Sequence, residues 1–242
     1  MVSIEEVERF LGSKITDPYG RILGVLSSVY SDVDGSISGV EVVSEDYSIR
    51  YIPSERLVIS HEGLIILPEW KVEALKVEAQ LDRARKRARA IEDLYINKEI
   101  SAQAYEDMKK QIDSTLSRLK EKARQTRSLL RKRLGEVEDE ILHLDKASNH
   151  LKLIYTSGEI SEQRFKQSMD MLRSSRNKYV EEKKDLEKHI EIIEKLETEI
   201  TTPIKTTQIQ PSTQPATTSP PQPQIQAPSS QQTPINVIIT NS

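Results

Sequence analysis

Apolar and polar side chains alternate in short runs over the first 68 residues, the pattern of strands with one buried face. The runs are rich in β-branched residues and are separated by turn signals such as Asp17-Pro-Tyr-Gly20 and Asp34-Gly35. They predict six strands, at 14–16, 22–33, 37–43, 48–52, 57–59 and 64–67. Six short strands with no helical stretch between them favour a small β-barrel, which we place at residues 1–68.

Beyond the barrel, the apolar period lengthens from two to seven, which predicts coiled-coil seams. One seam runs from Ala74 to Tyr95, a second from Ile112 to Tyr155, and a third from Phe165 to Ile193. Arg176 and Lys183 fall within the third seam and weaken it. We therefore predict an α+β protein, in which the barrel is followed by a helical rod at residues 69–200.

An internal repeat indicates how the helices are arranged. The segment from Tyr95 to Tyr105 matches the segment from Tyr155 to Phe165 at an offset of 60 residues. Each copy holds residues that end a helix, followed by a serine suited to capping the next one. We predict turns near 96–100 and 156–160, and three antiparallel helices at 69–95, 101–154 and 161–199. The alternative is a continuous parallel coiled-coil dimer with two irregularities.

Charge is distributed unevenly and supports the antiparallel arrangement. Residues 1–68 have a net charge of −6, residues 69–135 of +7 and residues 136–200 of −5. A turn near Gly158 would place the acidic stretch 181–199 beside the basic stretch 117–135. Oppositely charged flanks set partner and orientation in such helix pairs, so we expect this basic stretch to be neutralised within the rod.

A second basic cluster is a candidate binding site for a polyanion. Its five cations are Arg83, Arg85, Lys86, Arg87 and Arg89. Folding at residue 98 would place them near 107–113, where acids and bases balance, so we expect the cluster to lack acidic partners inside the hairpin. It could then neutralise DNA phosphates, acidic lipid headgroups or the acidic barrel of another copy. A solvated helix face is the alternative.

Several chemical classes are excluded by composition. The chain has no cysteine, and its four histidines offer no metal-binding spacing. No nucleophile, base and orienting group can be assembled, so we expect a non-enzyme without cofactor or metal. Acidic residues stand where a signal peptide would be basic, and no apolar stretch approaches the roughly 18–20 residues of a membrane span. We expect a soluble, cytoplasmic protein.

The last 42 residues have the composition of a disordered segment but end in a run of apolar residues. Residues 201–242 hold 8 of the 11 prolines and a single charged side chain, Lys205. We predict a disordered Pro/Thr/Gln-rich linker at 201–233 and a partner-binding strand at 234–242. Strand addition to the sheet edge of another protein would use Pro234, Ile235, Asn236, Val237, Ile238, Ile239 and Thr240. The alternatives are a fortuitous apolar end and a strand that docks on its own domain.

The first segment resembles a PRC-barrel domain. The resemblance rests on the run from Phe10 to Val29, with its Asp17-Pro-Tyr-Gly20 turn and Leu23-Gly24 strand, and on the run from Tyr51 to Leu57 with its Ile-Pro pair. The order of barrel, charged coiled coil, proline-rich linker and terminal apolar strand resembles the crenarchaeal CdvA cell-division family over nearly the whole chain.

That resemblance implies a function and partners. A member of this family would form filaments as a scaffold associated with the inner face of the membrane at mid-cell. Its peptide, at 234–240 here, would recruit the ESCRT-III-like protein CdvB through that partner's winged-helix domain. The family has also been linked to DNA, so a DNA-organising protein that uses the basic clusters is the alternative. PRC barrels also occur in RNA and ribosome maturation, but the acidic barrel does not favour RNA.

Overall fold

The computed structural model describes residues 3–60 and 63–201; the linker and terminal peptide predicted from residue 202 onward lie outside the described residues. The N-terminal part contains one short helix, α1 (Ile4–Glu8), and six strands. The strands are β1 (Lys14–Thr16), β2 (Ile22–Ser31), β3 (Ile37–Val43), β4 (Ile49–Pro53), β5 (Leu57–Ser60) and β6 (Gly63–Ile66). All six lie where the alternating runs predicted them, whereas α1 and a 3₁₀ turn at Ser54–Arg56 were not predicted.

The six strands form one sheet in the order β4-β3-β2-β1-β6-β5. The pairing of β1 with β6 is parallel, and the other four pairings are antiparallel. Among the described strands, no backbone pairing joins β4 to β5 and closes the sheet. The fully or nearly fully buried core includes Val7, Ile15, Leu26, Val40, Leu64 and Ile66. Val7 comes from α1, so the short helix covers part of this core.

Gly24 is required where β2 approaches β3. Its φ angle of +148° lies in the region that L-residues rarely adopt. A Cβ atom at this position would lie 2.2 Å from the carbonyl oxygen of Val43. The glycine of the Leu-Gly strand in the PRC-barrel resemblance therefore permits close packing of two backbones.

Three long helices follow, α2 (Glu69–Ile96), α3 (Ala102–Thr156) and α4 (Glu162–Thr201). The 55 residues of α3 span about 80 Å at ~1.5 Å per residue. Arg131 pairs with Glu194 and Arg176 pairs with Asp145, so α3 and α4 run antiparallel. The predicted α+β fold with an antiparallel three-helix rod is confirmed, and the continuous parallel rod is wrong. None of the described helices has a stretch long and apolar enough to cross a membrane.

The two turns of the rod repeat the same geometry. Tyr95 stacks on Tyr105 with ring centroids 4.4 Å apart, and Tyr155 stacks on Phe165 at 4.3 Å. These four aromatic rings occupy equivalent positions of the 60-residue repeat. Each stacked pair holds the last turn of one helix against the first turn of the next.

The backbone of each turn also repeats. Lys98 and Gly158, again 60 residues apart, have positive φ angles of 61° and 79°. In both turns the next N–H donates to a carbonyl five residues back, which is the Schellman pattern that ends a helix. Ser101 then caps α3, because its Oγ accepts a hydrogen bond from the backbone N–H of Ala104.

The core of the rod is shared by all three helices. Its buried residues include Ala74, Val77 and Leu81 of α2, Ala123, Leu130 and Val137 of α3, and Leu186 and Ile193 of α4. The seam of α4 differs from the prediction, because Glu182 and His189 are buried whereas the side chain of Lys183 is 33% exposed. Helix α4 packs against α2 as well as α3, so its buried face is wider than a two-helix seam.

Candidate functional site

The β1–β2 turn is built around a buried aspartate. Asp17 is 4% exposed, and its Oδ1 accepts hydrogen bonds from the backbone N–H groups of Tyr19 and Arg21, at 2.9 and 2.8 Å. Its Oδ2 accepts a third, at 2.5 Å, from Nε of Arg21. These bonds fix both the path of the turn and the direction of the Arg21 side chain, which extends toward α4.

Glu182 of α4 is the centre of the junction between the β domain and the rod. Its side chain is 1% exposed and accepts hydrogen bonds from Arg21 Nη1 at 2.6 Å and from Trp70 Nε1 at 3.2 Å. Arg133 of α3 adds two more, from Nε at 2.9 Å and Nη2 at 3.1 Å. Burial raises the pKa of Glu182, but the hydrogen bonds from Arg133 and Arg21 outweigh burial and hold the pKa below its usual range.

A second carboxylate, Asp185, lies one helical turn further along α4. It accepts hydrogen bonds from the Tyr19 hydroxyl at 2.7 Å and from Lys71 Nζ at 2.6 Å. Burial and the bond to Asp185 raise the pKa of Tyr19, so the phenol stays protonated and donates. Burial also raises the pKa of Asp185, but the bonds from Lys71 and Tyr19 lower it below its usual range. Lys178 Nζ completes this contact by donating to the Gly20 carbonyl at 2.8 Å.

These groups form what we call the junction cluster: Asp17, Tyr19, Arg21, Trp70, Lys71, Arg133, Glu182 and Asp185. Glu182 and Asp185 have lowered pKa values and are surrounded by donors, so the arrangement suits holding two parts of the chain together rather than transferring a proton. Trp70 at the start of α2 is buried and donates to Glu182. The importance of Glu182 was missed, because its burial depends on the docking of the β1–β2 turn.

The basic cluster at 83–89 is divided by the fold. Arg85 pairs with Glu199 of α4 and, at 2.7 Å, with Asp82. Lys86 also pairs with Asp82 at 2.7 Å. The expectation that the whole cluster lacks acidic partners is therefore wrong for these two cations. Arg85 meets Glu199 because α4 extends alongside α2 to this level, whereas Asp82 reaches both cations from one helical turn earlier in α2.

The other members of the cluster have no ion pair within residues 3–60 and 63–201. Arg83 and Arg87 line a groove between α2 and α3, together with Arg118 and Lys122, whereas Arg89 does not line it. Because Tyr95 stacks on Tyr105, the turn between α2 and α3 is centred on residue 100 and not on residue 98. The facing part of α3 is consequently 112–122, not 107–113.

The longer basic stretch, 117–135, is neutralised in part, as predicted. Arg127 pairs with Glu197 at 3.1 Å and Arg131 with Glu194 at 2.7 Å. Three cations of this stretch, Arg118, Lys120 and Lys132, have no ion pair in the described part of the chain. The predicted partner-binding residues, 234–240, lie outside the described residues.

Comparisons with known proteins identify relatives of the chain and of its helical region. The model of the CdvA-like coiled-coil domain matches residues 69–216. Cell division protein A of Sulfolobus acidocaldarius is 37% identical over 199 residues, which cover 82% of this chain and 83% of that protein. No solved structure matches the chain. The chain belongs to the CdvA-like family of cell-division proteins.

Proposed function

We propose that this protein is a non-enzymatic, filament-forming scaffold of archaeal cell division. It acts at the inner face of the membrane at the division site, where it recruits an ESCRT-III-like protein of the CdvB type. The observation that carries the proposal is family membership, with a related division protein aligned over most of the chain. The locked junction between the β domain and the rod supports it, because a scaffold needs subunits of defined geometry.

Recruitment is assigned to the terminal peptide at 234–240. Ile235, Val237 and Ile239 would lie on one face of an extended strand, and a winged-helix domain would offer the sheet edge that accepts it. A filament would present many such peptides side by side. Individually weak contacts would then hold the partner firmly, because each further contact forms at high effective concentration.

The recruitment step is tested by calorimetric titration of the full chain with the winged-helix domain of a CdvB-type protein. Ile235→Asp and Val237→Asp are expected to abolish binding, because each puts a charge on the apolar face of the strand. Ile225→Asp, a change of the same kind outside the peptide, is the control and should bind as the unchanged protein does. Equal binding by all four proteins would contradict the proposal.

A second candidate function is DNA organisation. The supporting observation is that Arg83, Arg87 and Arg118 have no acidic partners in the described part of the chain, so they could neutralise phosphates. Affinity for duplex DNA should then fall steeply with salt, and removal of 230–242 should not change it. If the double variant Arg83→Glu with Arg118→Glu binds duplex DNA as tightly as the unchanged protein does, this function is contradicted.

A further inference from the structure

The groove between α2 and α3 carries an excess of positive charge over an apolar floor. We call it the cationic groove, and it encloses a volume of about 520 Å³. It is lined by Gln80, Arg83, Ala84, Arg87, Ile112, Thr115, Arg118, Leu119 and Lys122. No acidic side chain lines it, and the nearest acidic contact is that of Lys122 with Glu73 at 3.9 Å. Its floor of Ala84, Ile112 and Leu119 is apolar, so a phosphate backbone would contact the cations but would leave the floor without an apolar partner.

The β domain carries a surface of the opposite character. The turn between β2 and β3 presents Val33, which is fully exposed, between Asp32 and Asp34. Neither aspartate has a cationic partner among the described residues. We call these three residues the acidic knob. Helix α1 lies beside this turn, because Ile4 N donates to the Gly35 carbonyl at 3.1 Å, and its acidic first turn adds negative charge at the same place.

We propose that the acidic knob of one copy docks in the cationic groove of a second copy of this chain. Val33 would then contact the apolar floor, and Asp32 and Asp34 would face the cations on the two sides of the groove. Charge complementarity selects this occupant, because the predicted tail has a single, positive side chain, Lys205, and could not neutralise the groove. The inference rests on the self-association in the proposed function and assigns its contact surfaces.

The arrangement explains why assembly would continue rather than stop at a dimer. The knob is on the β domain and the groove is on the rod, so the two copies use different surfaces. A bound pair still presents one free knob and one free groove. Such head-to-tail contacts generate open filaments unless the rotation between copies closes a ring.

Charge reversal of the two surfaces tests the contact. The groove variant is Arg83→Glu with Arg118→Glu, and the knob variant is Asp32→Arg with Asp34→Arg. Each variant alone removes the charge complementarity, because the groove is left without net charge or the knob takes the sign of the groove, and should raise the protein concentration needed for sedimenting assemblies by more than about tenfold. An equimolar mixture of the two should assemble again, because the unchanged knob of the groove variant then meets the unchanged groove of the knob variant, and the introduced arginines meet the introduced glutamates.

The turn between β3 and β4 provides a matched control. Asp46 there accepts hydrogen bonds from the N–H and Oγ of Ser48, as Asp34 does from Ser36. Glu45→Arg with Asp46→Arg should therefore disturb the local turn equally and leave assembly unchanged. Circular dichroism of every variant shows whether its fold is retained.

Each remaining outcome overturns the inference in a distinguishable way. If the unchanged protein assembles but the mixture does not, or if the control loses assembly as fully, the contact is wrong and self-association stands. If the groove variant assembles normally but loses duplex DNA, the groove binds phosphates instead. If the unchanged protein does not assemble at any concentration, both this contact and the proposed filament fail, whereas partner recruitment is measured separately.

The chain has no cysteine, which permits a direct measurement of proximity. Full-length Val33→Cys protein mixed with full-length Thr115→Cys protein should form a mixed disulfide on mild oxidation. Val33→Cys mixed with Ser157→Cys, in the second turn of the rod, should not. Equal yields of the two disulfides would overturn the contact.

Discussion

Arg21 of the β1–β2 turn donates a 2.6 Å hydrogen bond to Glu182 of α4, although 161 positions separate them in the chain. The same carboxylate accepts two hydrogen bonds from Arg133 of α3. One buried side chain thus connects the β domain to two helices of the rod. The folding of the two parts is coupled through this charge, because without Glu182 Arg21 keeps only Asp17 of its own turn and Arg133 only Glu136 of its own helix.

Replacement of this carboxylate should be strongly destabilising. Glu182→Gln leaves Arg133 without its buried counter-charge and Arg21 with Asp17 alone, and should lower the free energy of unfolding by about 3 kcal/mol. Urea unfolding followed by circular dichroism gives the value. The control is Glu187→Gln, since the side chain of Glu187 is 51% exposed. A loss no larger than that of the control would contradict the role assigned to Glu182.

The junction should also weaken in acid. Burial raises the pKa of Glu182, but its arginine partners hold the pKa below the usual range. The unfolded chain therefore takes up the proton more readily than the folded one. This contribution is complete above the unfolded value of about 4.3 and is lost as the pH falls toward the lower folded value. Between pH 6 and 3, the urea midpoint of Glu182→Gln should consequently fall less than that of the unchanged protein.

Substitutions at equivalent positions of the two turns of the rod should change the stability of the protein in opposite directions. Lys98 adopts a positive φ that glycine adopts without strain, so Lys98→Gly should stabilise the protein by about 0.5–1 kcal/mol. Gly158→Ala at the same position of the second turn should destabilise it by about 1 kcal/mol. Thermal unfolding of both variants provides the comparison. Shifts of the same sign in the two variants would contradict the assigned turn geometry.

Two adjacent leucines of α3 test the packing of the three helices. Leu130 is 0% exposed in the shared core, and Leu129 is 44% exposed. Leu130→Ala should cost about 3 kcal/mol of stability, and Leu129→Ala well under about 1 kcal/mol. Denaturant unfolding of both variants measures the difference. Equal losses would mean that the helices meet in a different register.

Much of the rod could be predicted because its signals are local. The repeat from Tyr95 to Tyr105 and from Tyr155 to Phe165 marks both turns, and in each copy the two aromatic residues stack on each other. The strands were likewise predicted from alternation and turn residues. Local patterns suffice for these elements, because the residues that form each of them are neighbours in the chain.

The junction cluster could not be predicted in the same way. Along the chain, Glu182 resembles any of the acids on a solvated helix face, and only the docked turn at Arg21 buries it. The pairing of Arg85 with Glu199 has the same origin, since α4 returns to that level only in the folded chain, whereas the pairs of Asp82 with Arg85 and Lys86 follow from helical spacing and were overlooked. The burial of Glu182 and the pair of Arg85 with Glu199 both depend on which helix faces are brought together by the tertiary fold, and helical spacing alone does not contain that information.

The number of helices side by side changes along the rod, and this has a mechanical consequence. Ion pairs join α2 to α4 between Lys71–Asp185 and Arg85–Glu199, so three helices lie together over this stretch. Within residues 63–201, two helices continue toward each of the two stacked aromatic pairs. Resistance to bending rises steeply with cross-section, so thermal flexing should concentrate in the two arms and spare the middle. A polymer of such subunits could follow a curved surface while keeping its β domains at constant orientation to the stiff centre of each subunit.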